Sequence, residues 1–198
     1  FAFRDIPGSY KRAWAIENKR LKDQNILKKI QHHRAIHALL IGLILQISIV
    51  LYFGLQMLLF LIIHNLFAWW QLTSANYIEH YGLLRKLKDN GRFEPCKPHH
   101  SWNSNHTFSN LVLFHLERHS DHHVHPKKQY QCLRHDPNQP ALPTGYFGCF
   151  LLAYLPWLWF KVMDKRLLNL PHIAGDLSNT NIDPSKYNEL RRRYKNQY

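Results

Sequence analysis

From Ala35 to Trp70 the chain reads AIHALLIGLILQISIVLYFGLQMLLFLIIHNLFAWW, 36 residues without one Lys, Arg, Asp or Glu. An uncharged apolar stretch of about 18 residues already reads as a membrane crossing, and about 20 residues cover the hydrocarbon core once. This run is nearly twice that long. It fits either one long tilted helix or a hairpin of two helices turning near Tyr52–Gln56 at Gly54. A soluble core hairpin fits less well, because a domain of 198 residues rarely holds so long a charge-free run.

The flanks choose between the two. Nine of the 26 Lys and Arg residues lie in residues 1–34, none in 35–84, and seventeen from Arg85 onward. Basic flanks stay on the cytoplasmic side, and a single crossing would put one of them outside. The hairpin keeps both inside. Trp69, Trp70 and Tyr77 then suit an interfacial aromatic belt. The expected fold is all-α: an integral-membrane helical bundle fragment with a transmembrane hairpin and a cytosolic histidine-rich helical part. Its divisions are a basic cytosolic helical segment (1–34), the hairpin (35–78), a cytosolic His-rich metal-binding region (79–135), and an interfacial segment with a basic tail (136–198).

The second crossing is expected to run on as helix through Asn76–Lys88, followed by a turn-rich loop at Asp89–Pro98. His99–His106 is polar and irregular, and Asn103 or Ser104 is placed to cap a helix starting near His106. That helix reads through Thr107–His123 and ends at His125-Pro126, since a residue before proline avoids helix geometry. Gly145–Phe160 is apolar but spans only 16 residues and contains Pro156, so it reads as interfacial or re-entrant. Residues 161–198 end in RRRYKNQY and read as a solvated tail near anionic membrane lipid, not a nucleic-acid binder.

The composition narrows the chemistry. The formal net charge is +13, and 15 histidines stand where average usage gives about four or five. Cys96, Cys132 and Cys149 show no C-x-x-C spacing, which argues against a disulfide framework or a thiolate zinc site. No glycine-rich phosphate loop, G-x-S-x-G or H-E-x-x-H occurs. Residues 1–34 carry no secretory signal, and a first residue other than Met points to processing or to a piece of a longer chain.

The histidines have geometry. At 100° per residue, His119, His122, His123 and His115 fall at about 0°, 300°, 40° and 320°, one arc of about 100° on a helix face. Neutral imidazole is the commonest transition-metal ligand, and unpaired imidazoles on an apolar face are costly unless something satisfies their nitrogens. Glu117 and Asp121 fall on the opposite side and suit hydrogen-bond acceptors for ligands from another helix. His80 stands at the cytosolic end of the second crossing beside Glu79, with Asn76 four residues earlier to orient its ring. His99, His100 and His106 read as supporting or surface groups. His37 and His64 read as helix–helix hydrogen-bonding groups, and His32, His33, His125, His135 and His172 as solvated.

NYIEHYG (Asn76–Gly82), HHSWNSNH (His99–His106) and HLERHSDHH (His115–His123) resemble the motifs of the integral-membrane alkane monooxygenases, the AlkB type, within the membrane di-iron desaturases and hydroxylases. LPTGYFG (Leu142–Gly148) and WFKVMD (Trp159–Asp164) fit the same family, in order over roughly residues 35–165. The resemblance implies a six-helix protein of the bacterial inner membrane with a di-iron site on the cytoplasmic side, held by nine histidines. It carries ligand roles onto His80, His119, His122 and His123. His115 becomes a supporting group, as do Asn76, Glu79 and Asp121, and no other catalytic residue is assigned. The implied cofactor is two non-haem iron ions, with zinc as a substitute. The implied reaction is hydroxylation of the terminal methyl of medium-chain n-alkanes, using O2 and electrons from rubredoxin.

The family's two earlier motifs, of H-E-x-x-H-K and E-H-x-x-G-H-H type, do not occur, and Pro7–Leu21 resembles the segment that follows them. The chain therefore reads as a C-terminal half, and the native protein should have roughly twice its 23.7 kDa. Two rival readings are a related di-iron hydroxylase or desaturase acting on xylene or acyl chains, and a non-catalytic basic membrane-anchored module that binds lipid or protein.

Overall fold

Glu17 organises the start of the chain. In the computed structural model, which describes residues 2–194, helix α1 (Ala2–Arg20) leads through α2 (Ile26–His32) into α3 (Arg34–Phe53). The Glu17 side chain is gripped by Arg20 at 3.0 and 2.7 Å and accepts from the backbone N–H of Arg34 at 2.9 Å, an otherwise orphaned donor of the first turn of α3. The Arg20 guanidinium and the Arg34 N–H hold the Glu17 carboxyl down at about 2. Arg20 also donates to the His32 carbonyl at 2.6 Å. His33 caps α3 through Nδ1 and lies against Trp14, ring centroids 4.5 Å apart. It is buried, which corrects its reading as a solvated residue.

Helix α3 ends at Gly54, and α4 spans Gln56–His80. Gly54 has φ 95°, a conformation open to glycine at little cost, so the chain reverses where the sequence placed the turn. Asn65 donates to Gln46 at 3.0 Å, and these positions are nearly symmetric about Gly54, so the two helices run antiparallel. The polar link across the hairpin is therefore made by Gln46 and Asn65, not by His37 or His64. His64 turns to Asn65 in its own helix and stacks on Phe60, and His37 is exposed. No described residue of α3 is buried, and apart from Leu61 and Ile78 most Leu, Ile and Phe of both helices are exposed. At 20 and 25 residues, both are long and apolar enough to cross a membrane. The protein is an integral membrane protein, all-α in class; among the described residues the only sheet-like pairings are the single bridges Leu83–Thr180, Leu87–Phe93 and Asn103–Ala141.

The chain divides into two compact units within α4, Phe1–Ser74 and Ala75–Tyr198. The second unit is built on the last turns of α4, α5 (Thr107–Val112), α6 (His119–Val124), α7 (Tyr146–Ala153), α8 (Pro156–Leu168) and α9 (Tyr187–Tyr194). Its core joins Ile78, Trp102, Tyr146, Cys149, Trp159, Met163, Leu167 and Ile173.

Two expectations are corrected here and a third is given its detail. Helix α4 stops at His80 instead of running to Lys88, because Gly82 takes φ 69° and a Cβ there would run into Leu167. Gly145–Phe160 is split before Pro156 into α7 and the start of α8, neither of crossing length. Residues 161–194 are not a free tail: Met163, Leu167, Leu168, Ile173 and Leu177 are core residues. The last four residues of RRRYKNQY, 195–198, lie outside the described residues.

Candidate metal centre

A helix that ends inside a protein leaves carbonyls without partners. At the end of α4 those of Glu79 and Tyr81 are taken by one residue: the Trp102 backbone N–H donates to the Glu79 carbonyl at 2.7 Å, and its indole N–H to the Tyr81 carbonyl at 2.8 Å. This capping loop brings the His100 carbonyl to 3.2 Å from His80 Nδ1. A carbonyl only accepts, so His80 carries its proton on Nδ1 and presents a bare Nε2.

The same loop fixes α6. Asn103 accepts from the Ser120 N–H at 2.8 Å, its amide donates to Ser120 Oγ at 2.6 Å, and Ser120 Oγ reaches the Pro98 carbonyl at 2.6 Å. Ser120 and Asn103 are both buried. His119, next to Ser120, is thereby set against His80, Nε2 to Nε2 at 3.3 Å. His123 joins one turn later, its Nε2 2.8 Å from that of His119. The ligand atoms of His80, His119 and His123 lie within 4.8 Å of one another. Glu79 Oε2 is 3.4 Å from His119 Nε2, and the buried Glu79 carboxyl also interacts with the Tyr146 hydroxyl.

Three imidazole nitrogens face one point, and His80 brings a lone pair and no proton to it. A metal cation accepts all three lone pairs, and nitrogen donors of this kind suit iron and zinc alike. The donor set therefore fits a transition-metal ion. Burial first, and then the neighbouring imidazoles, hold His119 down at about 2 and His123 at about 4. Both rings are thus neutral, as ligands must be.

His122 is not in this group. It borders it, its ring centroid 5.6 Å from His123 and 6.1 Å from His119. The expected helix Thr107–His123 is broken, because Phe114 and His115 take φ 50° and 58°. His115 therefore leaves the shared face and turns to the Tyr130 carbonyl at 3.3 Å. The break serves Glu117, a fully buried side chain that accepts from the Tyr146 N–H at 2.6 Å and the Asn110 amide at 3.1 Å. It caps α7 and takes no histidine. Asp121 is engaged by Lys128 at 2.6 Å and the Arg134 N–H at 2.8 Å, away from the three imidazoles. Asn76 lies one turn before His80 on the same helix. His99 packs on His100 and His172, and His106 is exposed. Sequence reasoning missed Trp102, Asn103 and Ser120 as the residues that aim the rings. Trp102 and Asn103 were visible only as members of the HHSWNSNH segment, and Ser120 only as the neighbour of His119.

Fold and site together define an all-α membrane protein with a histidine cluster at the end of a membrane helix. Comparison with known proteins narrows this class. The family model described as "Fatty acid desaturase" matches residues 1–144, and the chain belongs to that family. It is 51% identical over 185 residues to the alkane 1-monooxygenase of Pseudomonas putida, covering 93% of this chain and 46% of that protein. It is 49% identical to alkane 1-monooxygenase 1 of Alcanivorax borkumensis, covering 93% and 45%. The xylene/toluene monooxygenase hydroxylase component of P. putida is more distant, 34% identical over 93 residues. The likeness thus extends beyond the motifs to nearly the whole chain, while the chain spans about half the length of the curated relatives it matches.

Proposed function

We propose that the protein containing this chain is a membrane di-iron monooxygenase that hydroxylates the terminal methyl of medium-chain n-alkanes, with O2 as oxidant and rubredoxin as electron donor. The observation that carries this is the convergence of His80, His119 and His123 in a chain half-identical to alkane 1-monooxygenases. His80, His119, His122 and His123 are assigned as four of the residues that would hold the irons, with His122 bordering the cluster of three. The remaining ligands come from outside this chain. Iron bound there supplies the activation of dioxygen and the attack on an unactivated C–H bond, chemistry beyond any amino-acid side chain.

This chain's own work is positioning. The His100 carbonyl fixes the tautomer of His80, and Asn103 with Ser120 fixes the position of His119. Burial keeps the imidazoles neutral, and Trp102 closes the end of α4 against water. The hairpin places the protein where a hydrocarbon dissolves, and the metal site is assigned to the cytoplasmic side of the bacterial inner membrane. Zinc suits the same imidazoles but has no redox chemistry, so a zinc-filled site would be inactive.

The test is metal content and product analysis on the purified native membrane protein that contains this sequence, with octane and xylene offered in parallel. Iron in the protein and 1-octanol formed with O2 and reduced rubredoxin are expected. Replacing His119 by Ala should remove iron and hydroxylation together. Xylene oxidation without octane oxidation would reassign the substrate, and full iron content in His119→Ala would overturn the ligand assignment.

A further inference from the structure

Asp164 makes a connection that ligation does not use. One of its oxygens accepts from the Tyr81 hydroxyl and the other from the Tyr194 hydroxyl. Tyr81 follows His80 in the chain. Its ring packs on Trp159 at 5.3 Å, and its carbonyl is held by the Trp102 indole. Tyr194 closes α9. One carboxylate thus links the residue beside the metal cluster to the C-terminal helix.

Helix α9 has two unlike sides. Tyr187, Leu190 and Tyr194 pack on the core, while Arg191, Arg192 and Arg193 are exposed. Arg192 donates to the Asn188 carbonyl of its own helix at 3.3 Å, and Arg193 lies over the Tyr194 ring at 5.6 Å. Asp176 lies within electrostatic reach of Arg191 and Lys86, Glu189 stands in the first turn of α9, and Asp183 caps the turn that leads into it. Because the apolar side of α9 is already occupied by the core, the helix has none left to lay into a bilayer. What remains is a basic face suited to an acidic folded partner.

We infer that the arginine face of α9 docks an acidic one-electron carrier protein, and that Tyr194, Asp164 and Tyr81 form the bonded path from that face to His80. This rests on the monooxygenase reading, which creates the demand for electrons. Hydroxylation puts one atom of O2 into a C–H bond and reduces the other to water, consuming two electrons and two protons. Two encounters with a reduced one-electron iron–sulfur protein supply the electrons, each leaving that protein oxidised by one. No bond or oxidation state changes along the path; Tyr194, Asp164 and Tyr81 serve as tunnelling medium.

The experiment uses the native membrane protein containing this sequence, with rubredoxin as the probe. Binding of oxidised rubredoxin to the metal-free protein is measured at low and high salt, alongside the triple variant Arg191→Gln, Arg192→Gln, Arg193→Gln. Removal of three exposed charges should weaken binding about tenfold at low salt, with a flatter salt dependence. Unchanged affinity and salt dependence would overturn the docking site. So would loss of binding to anionic lipid vesicles with rubredoxin binding intact. In the iron-loaded protein, Tyr194→Phe should bind rubredoxin normally yet accept its electron more slowly, relative to reduction by dithionite in the same variant. An unchanged ratio would overturn the path. Because the binding arm needs no metal, failure of the monooxygenase reading would appear separately, as absent iron.

Discussion

Replacing Glu117 by Leu should destabilise the second unit by about 3 kcal/mol. Glu117 is fully buried, and the Tyr146 N–H, the first donor of α7, has it as acceptor at 2.6 Å. Losing a buried acceptor leaves that donor unsatisfied, at a cost of about 1.5–3 kcal/mol when the bond is to a carboxylate. The Asn110 amide loses less, because it also donates to the Ser104 and His106 carbonyls at 3.2 and 3.0 Å. Leucine restores apolar contact but not the shape of the site, which adds about 1 kcal/mol. For a chain of this size each kcal/mol moves the midpoint by about 2–4 °C, so an apparent Tm lower by about 6–12 °C is expected. Glu117→Gln keeps an acceptor for the Tyr146 N–H and should cost only about 1 kcal/mol. The assay is tryptophan fluorescence on heating at one scan rate in detergent, with iron content read in parallel. Since His119 lies two residues on, the Leu variant should also lose iron on dilution. The reasoning is refuted if Leu shifts Tm by less than about 3 °C, or if Gln is as damaging as Leu.

Gly82→Ala should cost about 1–3 kcal/mol and loosen the end of α4, because φ is 69° and the added Cβ meets Leu167; an unshifted melting curve would contradict this. Asn103→Ala removes the acceptor of the buried Ser120 N–H and should cost about 1–3 kcal/mol, with faster amide exchange at Ser120 as the direct readout. His119 and His123 are depressed from 6.5 to about 2 and about 4, so the unfolded chain binds protons that the folded one refuses. Their contribution to the metal-free fold is therefore complete above 6.5 and is lost as pH falls through 4 and on toward 2; a Tm that rises as pH drops from about 7 to about 4 would refute it.

The hairpin was legible because two local signals agree: a run free of charge, and one glycine near its middle between basic flanks. The ligand trio was legible in part. The i, i+4 spacing of His119 and His123 survives in a helix only six residues long, and His80 keeps its place at a helix end. The helix through Thr107–His123 was misread because its periodicity is sound and the breaking force is remote. Glu117 must reach the start of α7, and nothing near it in sequence announces that partner. Residues 161–194 read as a tail for the opposite reason. Met163, Leu167, Leu168, Ile173 and Leu177 are spread among charged residues, and only packing against Trp159 and Tyr146 shows them as core.

The end of α4 shows why a ligand belongs at a helix terminus. A buried terminus needs donors from elsewhere, and here Trp102 supplies two, so the loop that caps the helix is fixed by the helix. Once fixed, its next carbonyl, that of His100, selects the tautomer of His80, and its Asn103 anchors Ser120 and with it His119. Aiming the imidazoles thus needs no metal, since each hydrogen bond in the chain also satisfies a group that burial would otherwise leave unpaired. A cluster assembled in this way takes its geometry from the fold, and a bound cation would close it by taking the lone pairs that the protein leaves facing one another.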